Sequence, residues 1–461
     1  MKGLSAILTL LNGLVFLFSF LLKDPDILIY ASLSISVLMI LDKLGRGIVL
    51  REIIAAFHSL IYLFMPLMGY IFFTKANANA LLFHRYMPVT KEQYFSLAMP
   101  AITGFIFLLC LPIAGSNSDE GRGLMQLIER AKKLLAGNKK KGLWMMVIGV
   151  LASFLSPFLP ISLQYVFFLV YLSSFAGVMY LYFSGKERVN NVYLALFVLF
   201  IMIGSLRSGM FTIVAYMGMT VFSFLFLNSN IALWKKFLYF SIGLFILLVV
   251  QTVKPEYRDK KNITRGYENE FTRFTYLVFK KFESTDEYLS PDFMWPVYYR
   301  ANQGFYVAMV QKHIPRVRPF DNGKKLGLVF LSAVIPRFLW PDKPQAGGAE
   351  NMKYYAGFIL RGYTMNVGPL GEAYGSFGNT GAIIYMLTLG FFVRLAYRQV
   401  FVIAKRSPLV VLWLPVLFFE VSYAGENDTL QIVNSLLKAS LFVYIVYRLI
   451  PGLFKMKPKP Q

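Results

Sequence analysis

The sequence is poor in the residues that build disulfide and metal sites. Its 461 residues include one cysteine, Cys110, and three histidines, His58, His84 and His313. A single cysteine excludes an intrachain disulfide framework and a cysteine-based metal centre. The histidines are scattered without the HExxH spacing of zinc enzymes, so we predict no bound metal and no cofactor. We interpret His58 and Cys110 as buried residues of apolar segments and His313 as a loop residue.

Charged residues are also scarce. They make up 15% of the chain, against about 25% in a typical soluble domain. The deficit appears as long apolar runs, which predicts an all-α polytopic membrane protein. No small-residue cleavage site follows the first run, 4–22, so we expect a membrane span there rather than a signal peptide. Cytoplasmic loops of such a protein explain the net charge of +23, so no nucleic-acid partner is expected.

Runs of roughly 17–25 apolar residues, and a few shorter ones, are candidates for membrane crossing. We predict about twelve, at 4–22, 27–41, 53–73, 94–114, 142–158, 161–184, 192–206, 211–227, 237–253, 380–397, 408–424 and 431–450. Lysines and arginines concentrate in alternate short loops, which marks those loops as cytoplasmic and places both termini in the cytoplasm.

These spans divide the chain into three regions. Residues 1–253 form an N-terminal bundle of about nine spans. We expect residues 254–379 to form one large external loop with short helices. Loops beyond about 12–15 residues are usually functional or disordered, so this loop is too long to be a simple connector. Residues 380–461 contain about three spans and a basic cytoplasmic tail.

Two segments outside the spans have helical character. Gly121–Leu135 has apolar residues at helical spacing with cations between them, which is typical of a helix on the inner leaflet or of an amphipathic linker. Leu326–Leu339 is apolar but too short to span, and Pro336 interrupts it. It could be a re-entrant or an interfacial helix.

The glycine-rich stretch Arg361–Gly381 carries one carboxylate, Glu372. Each glycine costs a helix about 1 kcal/mol relative to alanine, so we expect a folded-back loop until about Asn379. The glycines flanking Glu372 would leave room for a sugar, with Tyr363 and Tyr374 beside it. Glu372 is therefore our candidate general base. The alternative is a helix-entry loop with a solvated glutamate.

Cations on the external side suggest an anionic ligand such as a diphosphate. Residues 254–379 contain 18 Lys and Arg against 12 Asp and Glu, an excess unusual in external loops. Arg207 lies between two apolar spans, where a cation either meets an anion or snorkels to the interface. Prolines of 335–344 hold Arg337 and Lys343 in fixed directions. The alternative for this excess is a basic surface attracted to lipid head groups.

Aromatic and acidic residues are candidates for binding the glycan. Trp340 offers a flat indole face on which sugars stack, or it anchors the chain at the membrane interface. Glu426 and Asp428 lie at the external end of two spans. They could bind substrate hydroxyls, but we favour a solvated turn.

Two segments, IPRFLWPDKP at Ile335–Pro344 and GPLGEAYGSFGNTG at Gly368–Gly381, precede a hydrophobic helix. Together they resemble the Wzy-type O-antigen and capsular polysaccharide polymerases, the oligosaccharide repeat-unit polymerase family. The motifs cover about residues 335–395. The resemblance implies a GT-C-like bundle in the bacterial inner membrane and metal-independent glycosyl transfer at its external face. The substrate would be an undecaprenyl-diphosphate-linked oligosaccharide, and Arg207, Arg337 and Arg361 could bind the diphosphates.

The implied partners are the lipid-linked oligosaccharide, membrane lipids, a chain-length regulator and a flippase. Two other functions stay open on the sequence: an O-antigen ligase-type transferase and a flippase or exporter of lipid-linked glycan. Related ligases use a histidine of the external loop, but His313 does not lie in that motif.

Overall fold

The computed structural model describes residues 2–22, 24–73, 79–113, 119–185, 188–208, 218–227, 270–283, 291–335, 339–344, 347–360 and 365–456, with scattered residues between 232 and 257. These residues form helices and loops, and no β-strand occurs among them. Six helices are long and apolar enough to cross a membrane. The chain is therefore an all-α membrane protein, as its composition predicts.

In chain order, the helices are α1 (Lys2–Phe18), α2 (Asp26–Lys43), α3 (Leu50–Phe72), α4 (Ala80–Tyr86), α5 (Lys91–Cys110), α6 (Gly121–Leu135), α7 (Lys139–Leu155), α8 (Ile161–Phe183), α9 (Arg188–Ser208), α10 (Gly218–Leu225), α11 (Glu270–Glu283), α12 (Pro291–Ala301), α13 (Gly304–His313), α14 (Lys324–Val334), α15 (Gly348–Ala356), α16 (Gly368–Ala404), α17 (Leu414–Leu417), α18 (Phe419–Ser422) and α19 (Thr429–Leu449). Short 3₁₀ turns occur at Ser156–Phe158, Pro408–Trp413, Ala424–Glu426 and Pro451–Leu453. Helix α3 contains one π-helical turn, Leu60–Phe64.

The six candidate spans are α3, α5, α7 with its 3₁₀ extension, α8, α16 and α19. Shorter apolar helices occupy Leu4–Phe18, Asn190–Ser205 and Pro408–Leu417, where three further spans are predicted. The predicted span 211–227 is described from residue 218 onward, where α10 (Gly218–Leu225) lies, and the predicted span 237–253 lies largely outside the described residues. Helix α2 covers the predicted span 27–41.

Helix α5 forms the centre of the bundle. It packs against α1, α3 and most extensively against α16. A glycine permits the closest crossing, because a Cβ at Gly390 of α16 would lie 2.6 Å from the carbonyl oxygen of Phe105. Helices α7 and α8 form a second tight pair, in which Gly142 faces the backbone of Gly177. Small residues at such crossings let helix backbones approach closely in membranes.

The glycine-rich stretch is helical from Gly368 onward, so the prediction of a loop up to Asn379 is wrong from that residue. Helix α16 begins at Gly368 and continues to Ala404, interrupted only by a kink at Gly378 with φ 70° and ψ −167°. Close packing offsets the low helix propensity: a Cβ at Gly375 would lie 2.4 Å from Cδ1 of Tyr355. The boundary predicted at 379/380 thus falls inside α16, next to its kink.

The segment predicted as a span at 408–424 is not one helix. It consists of the 3₁₀ turn Pro408–Trp413 and the single-turn helices α17 and α18. Pro408 and Pro415 remove backbone donors that a continuous helix would need. Nearly all of its side chains are buried, and irregular backbone at membrane depth is tolerated where protein surrounds it.

The two segments with helical character are both helical. Helix α6 has the bounds predicted for the amphipathic segment Gly121–Leu135. The apolar segment predicted at Leu326–Leu339 is helical over Lys324–Val334. His313, interpreted as a loop residue, is the last residue of α13.

A buried ionic cluster joins α2, α3 and the residues that precede α6. The Lys43 ammonium lies 2.9 Å from Glu52 Oε1 and 2.5 Å from Asp119 Oδ2. The Arg51 guanidinium lies 2.9 Å from Asp119 Oδ2 and donates to the carbonyl of Leu109, near the end of α5, at 3.1 Å. The four charged side chains are all 4% exposed or less, so the cluster holds these segments together.

Candidate functional site

The first half of α16 and the beginning of α19 meet at Glu372. One carboxylate oxygen, Oε1, accepts a hydrogen bond from the side-chain amide of Asn351 at 2.7 Å. The other, Oε2, accepts the backbone N–H of Thr429 at 2.9 Å. The side chain is 1% exposed. Both partners are donors, which suits an ionised carboxylate because such a group only accepts.

Asp428 supplies a second buried carboxylate at the same point. It is the N-cap of α19, where Oδ1 accepts the N–H of Gln431 at 2.6 Å and the Gln431 side chain returns a bond to the Asp428 backbone. Oδ2 accepts the N–H of Gly347 at 2.9 Å. Burial raises the pKa of Asp428, although these N–H groups and the Lys325 charge act in the opposite direction. Two carboxylates are thus gathered at the positive end of one helix dipole.

Lys325 on α14 is the nearby cation. Its side chain is buried, and its ammonium interacts electrostatically with both Glu372 and Asp428. The same ammonium lies 3.2 Å from Glu350 Oε1 and 4.2 Å from the ring centroid of Tyr354. The site therefore contains two buried carboxyl groups and one buried lysine, which reaches it from a separate helix.

Glycines of α16 bring neighbouring aromatic residues against the site. Gly368 has φ +77°, and a Cβ there would lie 2.3 Å from the hydroxyl oxygen of Tyr62. The Tyr355 ring covers Gly375, and its hydroxyl lies 3.2 Å from Ser376 Oγ. The prediction that glycines leave room for a sugar beside Glu372 is therefore wrong at Gly375, because Tyr355 fills that space.

The kink at Gly378 separates the site from the rest of α16. Gly378 has the φ and ψ of a conformation that is essentially restricted to glycine. The carbonyl of Ser376, just before the kink, accepts the N–H of Asn322 at 3.0 Å. This bond ties the half of α16 that carries Glu372 to the turn that precedes α14.

Glu426 lies at the edge of the site and forms an ion pair with Arg300 of α12. Its backbone carbonyl accepts the Asn366 side chain at 3.1 Å, and the Tyr62 hydroxyl donates to the adjacent Gly425 carbonyl at 2.7 Å. The interpretation of Glu426 and Asp428 as a solvated turn is wrong for Asp428, which is fully buried, whereas Glu426 is partly exposed.

The other predicted site residues are not seen beside Glu372. The Tyr374 hydroxyl donates to the carbonyl of Ile314 at 3.3 Å. The Lys343 ammonium donates to the carbonyls of Ser332 and Ile335, and Trp340 is half-buried. Arg207 belongs to α9, but its side chain lies outside the described residues, as do Arg337, Arg361 and Tyr363 entirely.

Sequence reasoning missed Asn351, Lys325 and Arg300. Asn351 lies in a nine-residue helix, and one amide in such a helix has no distinctive pattern. Lys325 did carry a signal, because it begins an apolar run, and a buried lysine needs anionic partners. Arg300 gave no signal, since its partner Glu426 is 126 residues away.

The arrangement can bind and move protons. Within the described part of the chain, no three His, Cys, Asp or Glu residues are grouped closely enough to hold a metal ion. Glu372 and Asp428 could accept protons, and Lys325 and Arg300 could meet negative charge.

Comparison with known proteins assigns a family without a described activity. No curated protein and no solved structure matches the chain. A family model described as a domain of unknown function, DUF8712, matches residues 29–400, which is well over half of the chain. The chain therefore belongs to the DUF8712 family.

Proposed function

We propose that the protein is a Wzy-type polysaccharide polymerase. In this proposal it transfers a growing glycan from its undecaprenyl diphosphate carrier to the next lipid-linked repeat unit. The reaction takes place at the external face of the bacterial inner membrane. The glycan is an O-antigen, a capsule or another surface polysaccharide.

The observation that carries the proposal is the joining of Glu372 and Asp428 at the start of one candidate span. Glu372 comes from the glycine-rich motif, and Asp428 comes from a separate segment. Asn351 and Gly347, which lie between the two motif segments, bind these carboxylates. A single buried polar network beside membrane helices thus links the glycine-rich motif to the start of α19 and to the segment that follows the first motif.

The chemistry requires one base and several positive charges. The acceptor hydroxyl attacks the anomeric carbon and gives its proton to a carboxylate, while the bond from that carbon to the diphosphate breaks. Glu372 is the candidate base. Because Glu372 is 1% exposed, the acceptor reaches it only when a neighbour such as Tyr355 moves. Negative charge on the departing lipid diphosphate is stabilised by cations, for which Arg207, Arg337 and Arg361 remain the candidates.

Lys343 is a weaker candidate for the diphosphate, because its ammonium is engaged by two backbone carbonyls. Lys325 interacts electrostatically with both carboxyl groups and is therefore better placed to balance their charge. Trp340, Tyr363, Tyr374 and Glu426 remain candidates for glycan binding.

The proposal includes a GT-C-like bundle of about twelve spans with both termini in the cytoplasm. The six candidate spans and three shorter apolar helices support this number in part. The carboxylates would then face the external side, where a flippase delivers lipid-linked units and a chain-length regulator acts on the product.

Deletion of the gene in the source bacterium tests the proposal. A polymerase deletion should leave single repeat units on the acceptor, and the wild-type gene should restore the ladder of long chains. The readout is the length distribution of surface glycan on a gel. A strain producing the Glu372→Gln variant at normal protein level serves as the matched control.

The same gel separates the two alternatives. Loss of a flippase or of a ligase would remove surface glycan altogether, including single units. A complete absence of glycan in the deletion strain would therefore overturn the polymerase assignment, and an unchanged ladder would exclude all three functions.

A further inference from the structure

Helix α14 exposes several large apolar side chains, unlike a surface helix in water. The side that packs on the protein carries Lys325 and Ser332, which are 8% and 1% exposed, together with Leu326 and Val329, which are each 3% exposed. The opposite side carries Leu328, Leu331 and Val334, which are 46%, 53% and 73% exposed. A surface helix in water buries its apolar side and exposes its polar side. Because α14 exposes apolar side chains, we do not expect its exposed side to face water.

The main packing partner of α14 is α19, a candidate membrane span. Helix α19 has an exposed apolar stripe of its own at Leu437, Leu441 and Ile445. A helix that packs beside a span and also exposes apolar residues is expected to contact the same acyl chains.

The backbone carbonyls at the C-terminal end of α14 have a hydrogen-bond donor within the protein, which a helix end in the hydrocarbon region of a bilayer requires. The last carbonyls of a helix lack partners within the helix, and in the bilayer they must be satisfied by the protein itself. The Lys343 ammonium donates to the carbonyl of Ser332 at 2.7 Å and to that of Ile335 at 2.8 Å. A lysine at a helix C-terminus also favours the negative end of the helix dipole.

The start of α14 and the segment that follows it both lie near Asp428. At the start of α14, Lys325 interacts electrostatically with Asp428, the N-cap of α19. Beyond α14, Gly347 donates its N–H to the same carboxylate at 2.9 Å. The 11 residues of α14 extend about 16 Å, roughly half of a hydrocarbon core that is about 30 Å thick.

We infer that α14 is a re-entrant helix that enters one leaflet beside α19, from the side of Asp428, with lipid acyl chains against its apolar face. Its polar start lies at the head-group level, where Lys324 is exposed to lipid phosphates. The inference depends on the exposure and packing of α14 and α19 and not on the proposed function, so it holds whether or not the protein is a polymerase.

Depth-dependent quenching of single-cysteine variants tests the inference. Cys110, the one native cysteine, is first replaced by alanine in the full-length protein. A bimane label is then attached at Leu331→Cys, Val334→Cys or Lys324→Cys in vesicles of phosphatidylcholine and phosphatidylglycerol. Lys353→Cys, on the exposed side of α15, is the aqueous control, and Leu441→Cys on α19 is the lipid control.

We expect labels at 331 and 334 to be quenched by brominated lipid like the label at 441 and protected from iodide. Lipid brominated deep in the acyl chain should quench the label at 334 roughly twofold or more above that at 324, because about 15 Å of helix separates them. Iodide quenching at 331 and 334 equal to that at 353 would overturn the inference. Equal deep-lipid quenching at 324 and 334 would also overturn it, because the helix would then lie flat at the interface.

Discussion

The Glu372 carboxylate accepts two hydrogen bonds, one from a donor that cannot rotate and one from a donor that can. The Thr429 N–H is part of the backbone, whereas the Asn351 amide can rotate to offer its oxygen instead of its nitrogen. A glutamine at 372 can therefore keep both hydrogen bonds. An alanine leaves two buried donors without their acceptor, at about 1–3 kcal/mol for each.

This difference predicts distinct results for two substitutions. Glu372→Gln should accumulate and unfold near the wild-type temperature but extend glycan at least about 100-fold more slowly, since a general base contributes 10²–10⁴-fold. Glu372→Ala should lose activity and also unfold at a lower temperature. Glycan length analysis and thermal unfolding in detergent provide the two measurements.

Polymer production by Glu372→Gln within about tenfold of wild type would make Glu372 a positioning residue. Glu426 and Asp428 would then be the next candidate bases, or the substrate itself would take the proton.

Among the residues of the site, the sequence predicted Glu372 but not the residues that contact it. Glu372 was identified because it is the only acid between 357 and 381. Its burial and its bond to Thr429 depend on how α19 packs, which no local pattern specifies. Tyr355, which closes the space over Gly375, likewise belongs to a helix without an apolar period of its own.

Among the elements, α16 is the one whose shape depends on a single glycine. With φ +70° and ψ −167°, Gly378 has a conformation that costs another residue about 1–3 kcal/mol. Gly204 in α9 is the contrasting case, because a Cβ there would meet no atom within 4 Å.

Gly378→Ala should therefore lower the unfolding temperature, whereas Gly204→Ala should leave it unchanged or raise it by the gain in helix propensity, up to about 1 kcal/mol. Thermal unfolding of both variants under identical detergent conditions measures the difference. Equal unfolding temperatures would mean that α16 straightens without cost, which contradicts the bond between Ser376 and Asn322.

Elements were predicted well where one physical term dominates. The bounds of α6 follow from its amphipathic period alone. The start of α16 was misplaced because close packing outweighs the cost of each glycine. The segment 408–424 was read as a span from its apolar composition, although two prolines break it and burial supports the irregular backbone.

Across the whole molecule, Asp119 connects parts of the chain that are distant in sequence. Burial alone would raise the pKa of Asp119, but the charges of Arg51 and Lys43 outweigh burial and hold this pKa at about 2. A carboxyl group whose pKa is lowered in the folded protein contributes its full stabilisation at a pH above its ordinary pKa of 3.8. That stabilisation is lost as the pH falls through about 2.

Asp119→Asn should therefore destabilise the protein by about 3–5 kcal/mol, since it leaves the two buried cations Lys43 and Arg51 with one buried anion, Glu52. The effect should be the same from pH 7 to pH 5, where Asp119 is ionised in the wild type. Unfolding is followed by the reaction of a fluorogenic maleimide with Cys110, which is 3% exposed in the folded protein.

The exposed pair of Glu129 and Lys132 provides the matched control, because a surface ion pair is worth about 0–1 kcal/mol. Glu129→Gln should leave the unfolding temperature nearly unchanged. A loss in Asp119→Asn no larger than in Glu129→Gln would show that the ionic cluster does not hold the bundle together. Sequence reasoning did not find this cluster, because Lys43 and Asp119 are 76 residues apart.

The bond from Thr429 to Glu372 has a consequence for biosynthesis. A chain is made from its N-terminus at about 5–20 residues per second, so Glu372 is synthesised several seconds before Thr429 exists. During that interval its carboxylate lacks one of its two donors, and Asp428 is also missing. The hydrogen-bond network around Glu372 is therefore completed only once Thr429 has been synthesised, and a nascent chain that has not reached α19 lacks this network however well its earlier helices are folded.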